Sequence, residues 1–440
     1  MPDTARDAQP TDLSRRWQHT WRKHRKALTW IGIAIGVLAL IIYLAHDQET
    51  LRVESPLAVI DPQFADYVSS LINAPIEVGD AYTVLRNGDE AFPPMLEAIE
   101  KARTRIVFET YVFKDGEIGD RFADALARAA ERGVQVRIVL DPVGSLMKPK
   151  NRDRLTNAGA QLWWFNPLGF FTLEELNYRT HRKTMVVDGD VAFIGGMGVA
   201  DHWLGRAQDK DHWRDTHFRI TGPSVRALEA SFYENWLESG GLSAPVLDTP
   251  AAPRATGARS IVLWSNPTVG ASNVKLLYLL AIAGARRTLD IQSPYITLDD
   301  STKWSLIEAR RRGVRIRMLT EGYITDAMPV KHASRRFYQE LLDLGIEIAE
   351  YQPTMMHTKA VIVDGVLSLI GSANFGNRSF ELNDELTIGV FDADLAAVLT
   401  RDFDTDLQQS TRLDAATWPK ARSIDSKLQE WFWNLFGEMF

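Results

Sequence analysis

A nine-residue segment occurs twice in this chain. His181-Arg182-Lys183-Thr184-Met185-Val186-Val187-Asp188-Gly189 and His357-Thr358-Lys359-Ala360-Val361-Ile362-Val363-Asp364-Gly365 carry His, Lys, Asp and Gly at identical offsets. Side chains alternate along a strand, so the His and Lys of each copy project from one side, and the apolar run behind them enters the core. Asp-Gly then makes a tight turn into the next strand. The neighbourhoods repeat as well. The strand-like run Arg105–Thr110 has a counterpart in Thr288–Ser293, and helical patterns end in Arg132-Gly133-Val134 and Arg312-Gly313-Val314, where glycine stops the helix before another strand. A duplicated βα pattern of this kind predicts an α/β fold of two pseudo-symmetric lobes, each a mixed β-sheet flanked by helices.

The boundaries read from composition are a basic N-terminus 1–27, an apolar segment 28–45, a connector 46–74, lobes 75–240 and 255–410, a Gly/Pro/Ala-rich linker 241–254 and an amphipathic tail 411–440. The 440 residues, 45% hydrophobic and 24% charged, suit globular lobes with a sizeable core. A net charge of −7 opposes a dedicated nucleic-acid binder, which needs a basic face. Zero cysteines exclude disulfides, thiolate metal sites and a cysteine nucleophile.

If the lobes face each other, the two copies form a cup holding His181, Lys183, His357 and Lys359, with the Ser372 hydroxyl and the Asn374 amide beside them. Such a cup suits a phosphodiester. A neutral imidazole attacks phosphorus, a protonated imidazole donates to the leaving alkoxide, and the ammonium groups neutralise the nonbridging oxygens. His202, His212 and His217 have no metal-ligand spacing, and no Walker-type phosphate loop is present; neither metal nor cofactor is expected.

These segments resemble the phospholipase D superfamily, whose signature is H-x-K-x4-D present twice, and the resemblance covers about residues 75–410. Five further runs resemble its bacterial cardiolipin synthase branch: Phe108–Phe113, Glu117–Gly119, Phe165–Pro167, Trp213–His217 and Asn377–Asn383. The resemblance implies His181 as nucleophile and His357 as acid and base. It adds Asp188 and Asp364 as motif residues of more structural character, and Asp215 and Glu385 as carboxylates that orient the histidines. Glu109, in the first of those runs, joins Ser372, Asn374, Asp215 and Glu385 in the substrate-binding and orienting set. The implied activity is transfer of a phosphatidyl group between two phosphatidylglycerols, giving cardiolipin and glycerol. Phosphatidylethanolamine as donor, hydrolysis to phosphatidic acid, nuclease action and a noncatalytic lipid-binding role are the alternatives. One departure stands out: Gly196 and Gly198 occupy the first-copy positions of Ser372 and Asn374. Either backbone N–H groups replace the missing amide, or substrate preference is altered.

From Leu28 to Ala45 there is no charged residue, with Trp30 and Tyr43 near the ends. This is long enough for a transmembrane helix; a buried helix and a cleaved signal peptide are the rivals. Seven Lys and Arg residues precede it and acidic residues follow, so the positive-inside rule keeps the N-terminus cytoplasmic and sends the lobes across a bacterial inner membrane. The aromatic stretch Leu162–Phe171 divides into a buried strand and a loop whose Phe170 and Phe171 can dip into a lipid interface. The tail from Lys427 is amphipathic, docking on the protein or lying on the membrane. The expected partners are therefore phospholipid and membrane, not nucleic acid.

Overall fold

The computed structural model describes residues 29–33, 36, 50–167, 177–243, 256–267 and 273–434. In chain order, the strands of the first half are β1 (Ile76–Arg86), β2 (Arg105–Thr110), β3 (Gln135–Leu140), β4 (Gln161–Trp164), β5 (Arg179–Thr180), β6 (Lys183–Val187), β7 (Val191–Gly195) and β8 (Thr216–Thr221). Those of the second half are β9 (Ala258–Trp264), β10 (Thr288–Gln292), β11 (Ile296–Thr297), β12 (Arg315–Glu321), β13 (Glu347–Tyr351), β14 (Ala360–Val363), β15 (Leu367–Gly371), β16 (Phe375–Gly376), β17 (Asn383–Asp384), β18 (Leu386–Phe391) and β19 (Ser410–Arg412).

The two lobes share one sheet of fifteen strands, where two sheets were expected. β1 and β9 pair antiparallel at its centre, Ile76 opposite Ile261. Outward from that pair run β8, β7, β6, β2, β3 and β4 on one side, and β18, β15, β14, β10, β12 and β13 on the other, with β19 at the far edge. Each half is mixed: the β2 and β10 strands pair parallel with β3 and β12, and antiparallel with β6 and β14. The strands of the repeated segments are buried on both faces, as their near-continuous apolar runs require.

Helices cover both faces. On one, Ser224–Glu238 and Ala393–Gln408 close a core common to both halves, in which Val186, Ile194 and Phe218 pack with Ile362, Ile370 and Ile388. On the other, each half has its own core, under Asn87–Lys101 and Glu117–Glu131 in the first and Asn273–Gly284 and Asp300–Arg311 in the second. The Asp-Gly turns form with both central residues at positive φ, Asp188 (56°) with Gly189 (72°) and Asp364 (53°) with Gly365 (71°), the geometry of a type I′ hairpin.

Residues up to Thr50 form a separate unit. Of the expected membrane segment 28–45, residues 29–33 and 36 are described, all helical and exposed; the rest of that segment lies outside the described residues. Among the described residues, no helix is long and apolar enough to cross a membrane. Most of the expected linker, Phe170 and Phe171, and the tail beyond Asn434 also lie outside the described residues.

Candidate active site

The two histidines are held by exchange between the halves. Just before β6, strand β5 pairs parallel with β17 of the second half, and the His181 N–H donates to the Asp384 carbonyl at 2.9 Å. Reciprocally, the His357 N–H donates to the Arg214 carbonyl at 2.7 Å, and the Arg214 N–H to the Met355 carbonyl at 2.9 Å. The side chains cross in the same way. His181 Nδ1 bonds Glu385 Oε1 at 2.8 Å, and His357 Nδ1 bonds Asp215 Oδ2 at 2.8 Å. Each carboxylate therefore orients the histidine of the opposite repeat. A carboxylate only accepts, so Nδ1 carries the proton toward Glu385 in His181, and Nε2 is left with its lone pair. In His357, Nδ1 faces both the Asp215 carboxylate and, at 3.0 Å, Lys359 Nζ, and the shorter contact to Asp215 assigns it the same tautomer.

His181 and His357 line one cavity of about 670 Å³. Lys183, Arg179, Arg378 and Asn374 line it too, and Tyr111, Trp203, Trp213 and Tyr295 supply aromatic wall. Tyr111 meets the His181 ring edge-on at 5.3 Å, whereas Trp203, Trp213 and Tyr295 gather around His357 at 5.6, 5.4 and 6.5 Å. Lys183 Nζ donates to the His181 carbonyl at 2.8 Å, and Lys359 Nζ to the His357 carbonyl at 2.7 Å. Lys359 does not line the cavity, so the two ammonium groups are not equivalent as the repeat suggested.

Burial dominates the electrostatics. It pushes His181 down to about 4 against the pull of Glu385, and His357 well below the ordinary range, where the Lys359 and Lys183 charges add to it. Burial likewise lowers Lys183 to about 7, with help from the like charge of Lys359, and Lys359 to about 8 against Asp215 and Glu385. Burial alone would raise Glu385, but His181, Lys183 and the Ser372 hydroxyl draw it down to about 2. Asp215 goes the other way, because burial there outweighs Lys359, the Thr216 N–H and Trp203.

Several expected site residues stand elsewhere. Asp188 and Asp364 do not line the cavity. Asp188 accepts the N–H groups of Arg103, Thr104 and Arg105 at 2.8–3.0 Å, and Asp364 those of Arg286, Arg287 and Thr288 at 2.7–2.9 Å. They pin the starts of β2 and β10 against the turns, a structural position rather than the catalytic one of their motif. Ser372 is also behind the wall: its hydroxyl donates to Glu385 Oε2 at 2.5 Å, as Ser379 does to Oε1. Glu109, fully buried in β2, accepts from Thr180 at 2.5 Å and from Asn235 at 2.7 Å, one layer behind the cavity. Asn374 does line the cavity.

The Gly196/Gly198 departure has a steric cause. A Cβ on Gly196 would lie 2.2 Å from the Asp215 carboxylate, and one on Gly198 only 2.8 Å from Val112 and 3.1 Å from Trp203. The Trp203 indole N–H donates to Asp215 at 2.9 Å, the service that serine hydroxyls give Glu385. Two N–H groups of that turn, of Gly196 and Val199, are bonded to the Thr216 and Val112 carbonyls. Arg179, Arg378, Trp203 and Tyr295 were missed as site residues. Arg179 had a periodic signal, since Arg179, His181 and Lys183 alternate onto one strand face, and Arg378 lay within the Asn377–Asn383 run. Among the described residues, no group of three or more His, Asp or Glu is arranged to hold a metal ion.

Comparison with known proteins agrees with this geometry. The family described as "Cardiolipin synthase, PLD-like domain" matches at residues 95–227 and 278–407, one match per half. Cardiolipin synthase 2 of Bacillus anthracis is 34% identical over 343 residues, covering 77% of this chain and 66% of that protein. The probable cardiolipin synthase YwiE of Bacillus subtilis is 35% identical over 361 residues, covering 80% of this chain and 71% of that one. The chain thus spans about two thirds of the length of the curated relatives it matches. Phosphatidylserine synthase of Haemophilus influenzae shares the fold, with a TM-score of 0.64 at 13% identity over 86% of this chain and 98% of that one. Two matched repeats and relatives about a third identical over the aligned stretch identify the chain as a member of the phospholipase D superfamily, in its cardiolipin synthase branch.

Proposed function

We propose that this chain is a phosphatidyltransferase that makes cardiolipin from two molecules of phosphatidylglycerol. The observation that carries the reading is the pair His181 and His357 on one cavity, each with Nδ1 bound to a buried carboxylate and Nε2 left for chemistry. His181 Nε2 attacks phosphorus, the P–O bond to glycerol breaks, and His357 gives its proton to the departing alkoxide. A second phosphatidylglycerol enters, its hydroxyl loses a proton to His357, and the new P–O bond displaces His181. Lys183 faces the nonbridging oxygens.

The acid needs a proton, and burial with the Lys359 and Lys183 charges holds His357 well below the ordinary range. An arriving phosphodiester brings the negative charge that offsets the two ammonium groups, and the proton affinity of His357 rises with it. The relatives' names support cardiolipin as the product. Val143 and Leu146, apolar and exposed on the cavity wall, support docking on a bilayer, with 28–45 as the anchor and the N-terminus cytoplasmic.

The test is product analysis by mass after incubation with phosphatidylglycerol vesicles. Cardiolipin and glycerol from the wild type, lost in His181→Ala and His357→Ala, are expected; phosphatidic acid as sole product makes the chain a hydrolase instead. A reporter fused after Phe440 that works only in the cytoplasm refutes the orientation.

A further inference from the structure

A cavity that attracts a phosphodiester gains nothing from a carboxylate on its wall, yet Asp326 is there. It sits in the loop between β12 and the helix Met328–Arg335, exposed, and the Tyr295 hydroxyl donates to its Oδ1. A carboxylate has about four acceptor positions, and Tyr295 takes one. Tyr295 itself is fixed. Its loop leads from β10 into β11, the Ser293 hydroxyl donates to its carbonyl at 2.8 Å, and its ring stands edge-on to His357 at 6.5 Å. Burial, with the Asp326 charge, holds its hydroxyl well above the ordinary phenol range, so it stays protonated at neutral pH.

We infer that Tyr295 and Asp326 form a polyol subsite beside His357, which holds the glycerol hydroxyls of the departing headgroup and then of the acceptor lipid. The inference rests on the phosphatidyl-transfer reading and extends it to headgroup choice. An ionised phosphodiester has acceptors only, so it cannot satisfy Asp326; a glycerol headgroup brings two hydroxyl donors. The location also agrees with the chemistry. If His181 attacks, the leaving alkoxide departs toward His357, and the incoming hydroxyl must give its proton to the same ring. A pair that binds glycerol there places the second alcohol where water would otherwise react. Asp326 touches headgroup and not the reacting phosphorus, so its loss changes selection more than chemistry.

The experiment uses the full chain in detergent–lipid micelles with a fixed excess of 1-butanol as the common acceptor alcohol, and measures kcat/KM for consumption of phosphatidylglycerol, phosphatidylethanol and phosphatidylethanolamine with identical acyl chains. Wild type should prefer phosphatidylglycerol. Asp326→Asn and Tyr295→Phe should each reduce that preference over phosphatidylethanol by about tenfold or more, the effect of losing a hydrogen bond to a charged partner. Turnover of phosphatidylethanol itself should change less than about threefold, with the loss on phosphatidylglycerol mainly in KM. Equal losses on both lipids mean a structural role and overturn the inference. So does an unchanged ratio, or a lost preference for phosphatidylethanolamine, which would mark an ammonium site. Consumption is read regardless of product: wild type yielding only phosphatidic acid sinks the transferase reading while the ratio still tests the subsite, and turnover without headgroup preference sinks the subsite alone.

Discussion

Glu385 shows how much of the chemistry hangs on one side chain. It fixes the tautomer of His181 and keeps its own charge because His181, Lys183 and the Ser372 hydroxyl draw its pKa down. Glu385→Gln preserves shape but removes the obligate acceptor, so transfer should fall on the order of 10³–10⁴-fold in kcat, as for the analogous change in a hydrolase triad, with thermal unfolding little altered. Steady-state kinetics alongside a melt checks this. His217 makes a different kind of prediction. It is fully buried, neither ring nitrogen has a hydrogen-bond partner among the described residues, and burial pushes it down to about 4 despite the nearby Asp215. Its folded value lies below the ordinary 6.5, so the unfolded chain binds more protons as pH falls from 6.5 toward 4, and stability drops across that window. At pH 5 this amounts to ~2 kcal/mol. His217→Leu should remove that part of the pH dependence, read as urea midpoints at pH 8 and pH 5; a pH response identical to wild type contradicts it.

At the scale of elements, the link between β6, the helix Ser224–Glu238 and the second half runs through Arg182, the residue between His181 and Lys183. It is completely buried. Nη1 donates to the Ser231 carbonyl at 2.7 Å, and Nη2 to Glu234 and to the Ser265 carbonyl, each at 2.8 Å. Asp384 lies 3.6 Å away, in the strand that holds β5. Arg182→Ala leaves a buried carboxylate and two carbonyls without their cation, and should cost about 3–5 kcal/mol by denaturant unfolding. The repeat, the strand periodicity and the Asp-Gly turns made β6, β7, β14 and β15 legible in advance, since these depend on neighbours within a few residues. The role of Arg182 was not legible, because its partners lie 49 to 202 positions away in sequence.

At the scale of the whole molecule, the cavity opens through an apolar rim. Leu146 is 65% exposed and Val143 47%, both on its wall. The C-terminal helix Ile424–Asn434 adds Trp433 to the wall and leaves Leu428 and Trp431 exposed. Leu146→Asp should reduce turnover on vesicles by about tenfold or more, the worth of one large buried apolar side chain, while leaving a short-chain soluble phosphodiester within about twofold. Parallel losses on both substrates would contradict the docking role. From sequence alone came the duplication, the α/β class and the expectation that His181 and His357 share one cavity, because a local pattern repeated at fixed spacing needs no knowledge of contacts. Only the tertiary structure decided that the halves share one sheet, that each carboxylate serves the other half's histidine, that the motif aspartates cap strands, and that Tyr295 meets Asp326. The first two depend on residues brought together across the pseudo-twofold and the last two on contacts between separate loops of one half, and no periodicity along a chain encodes which side chains will meet there.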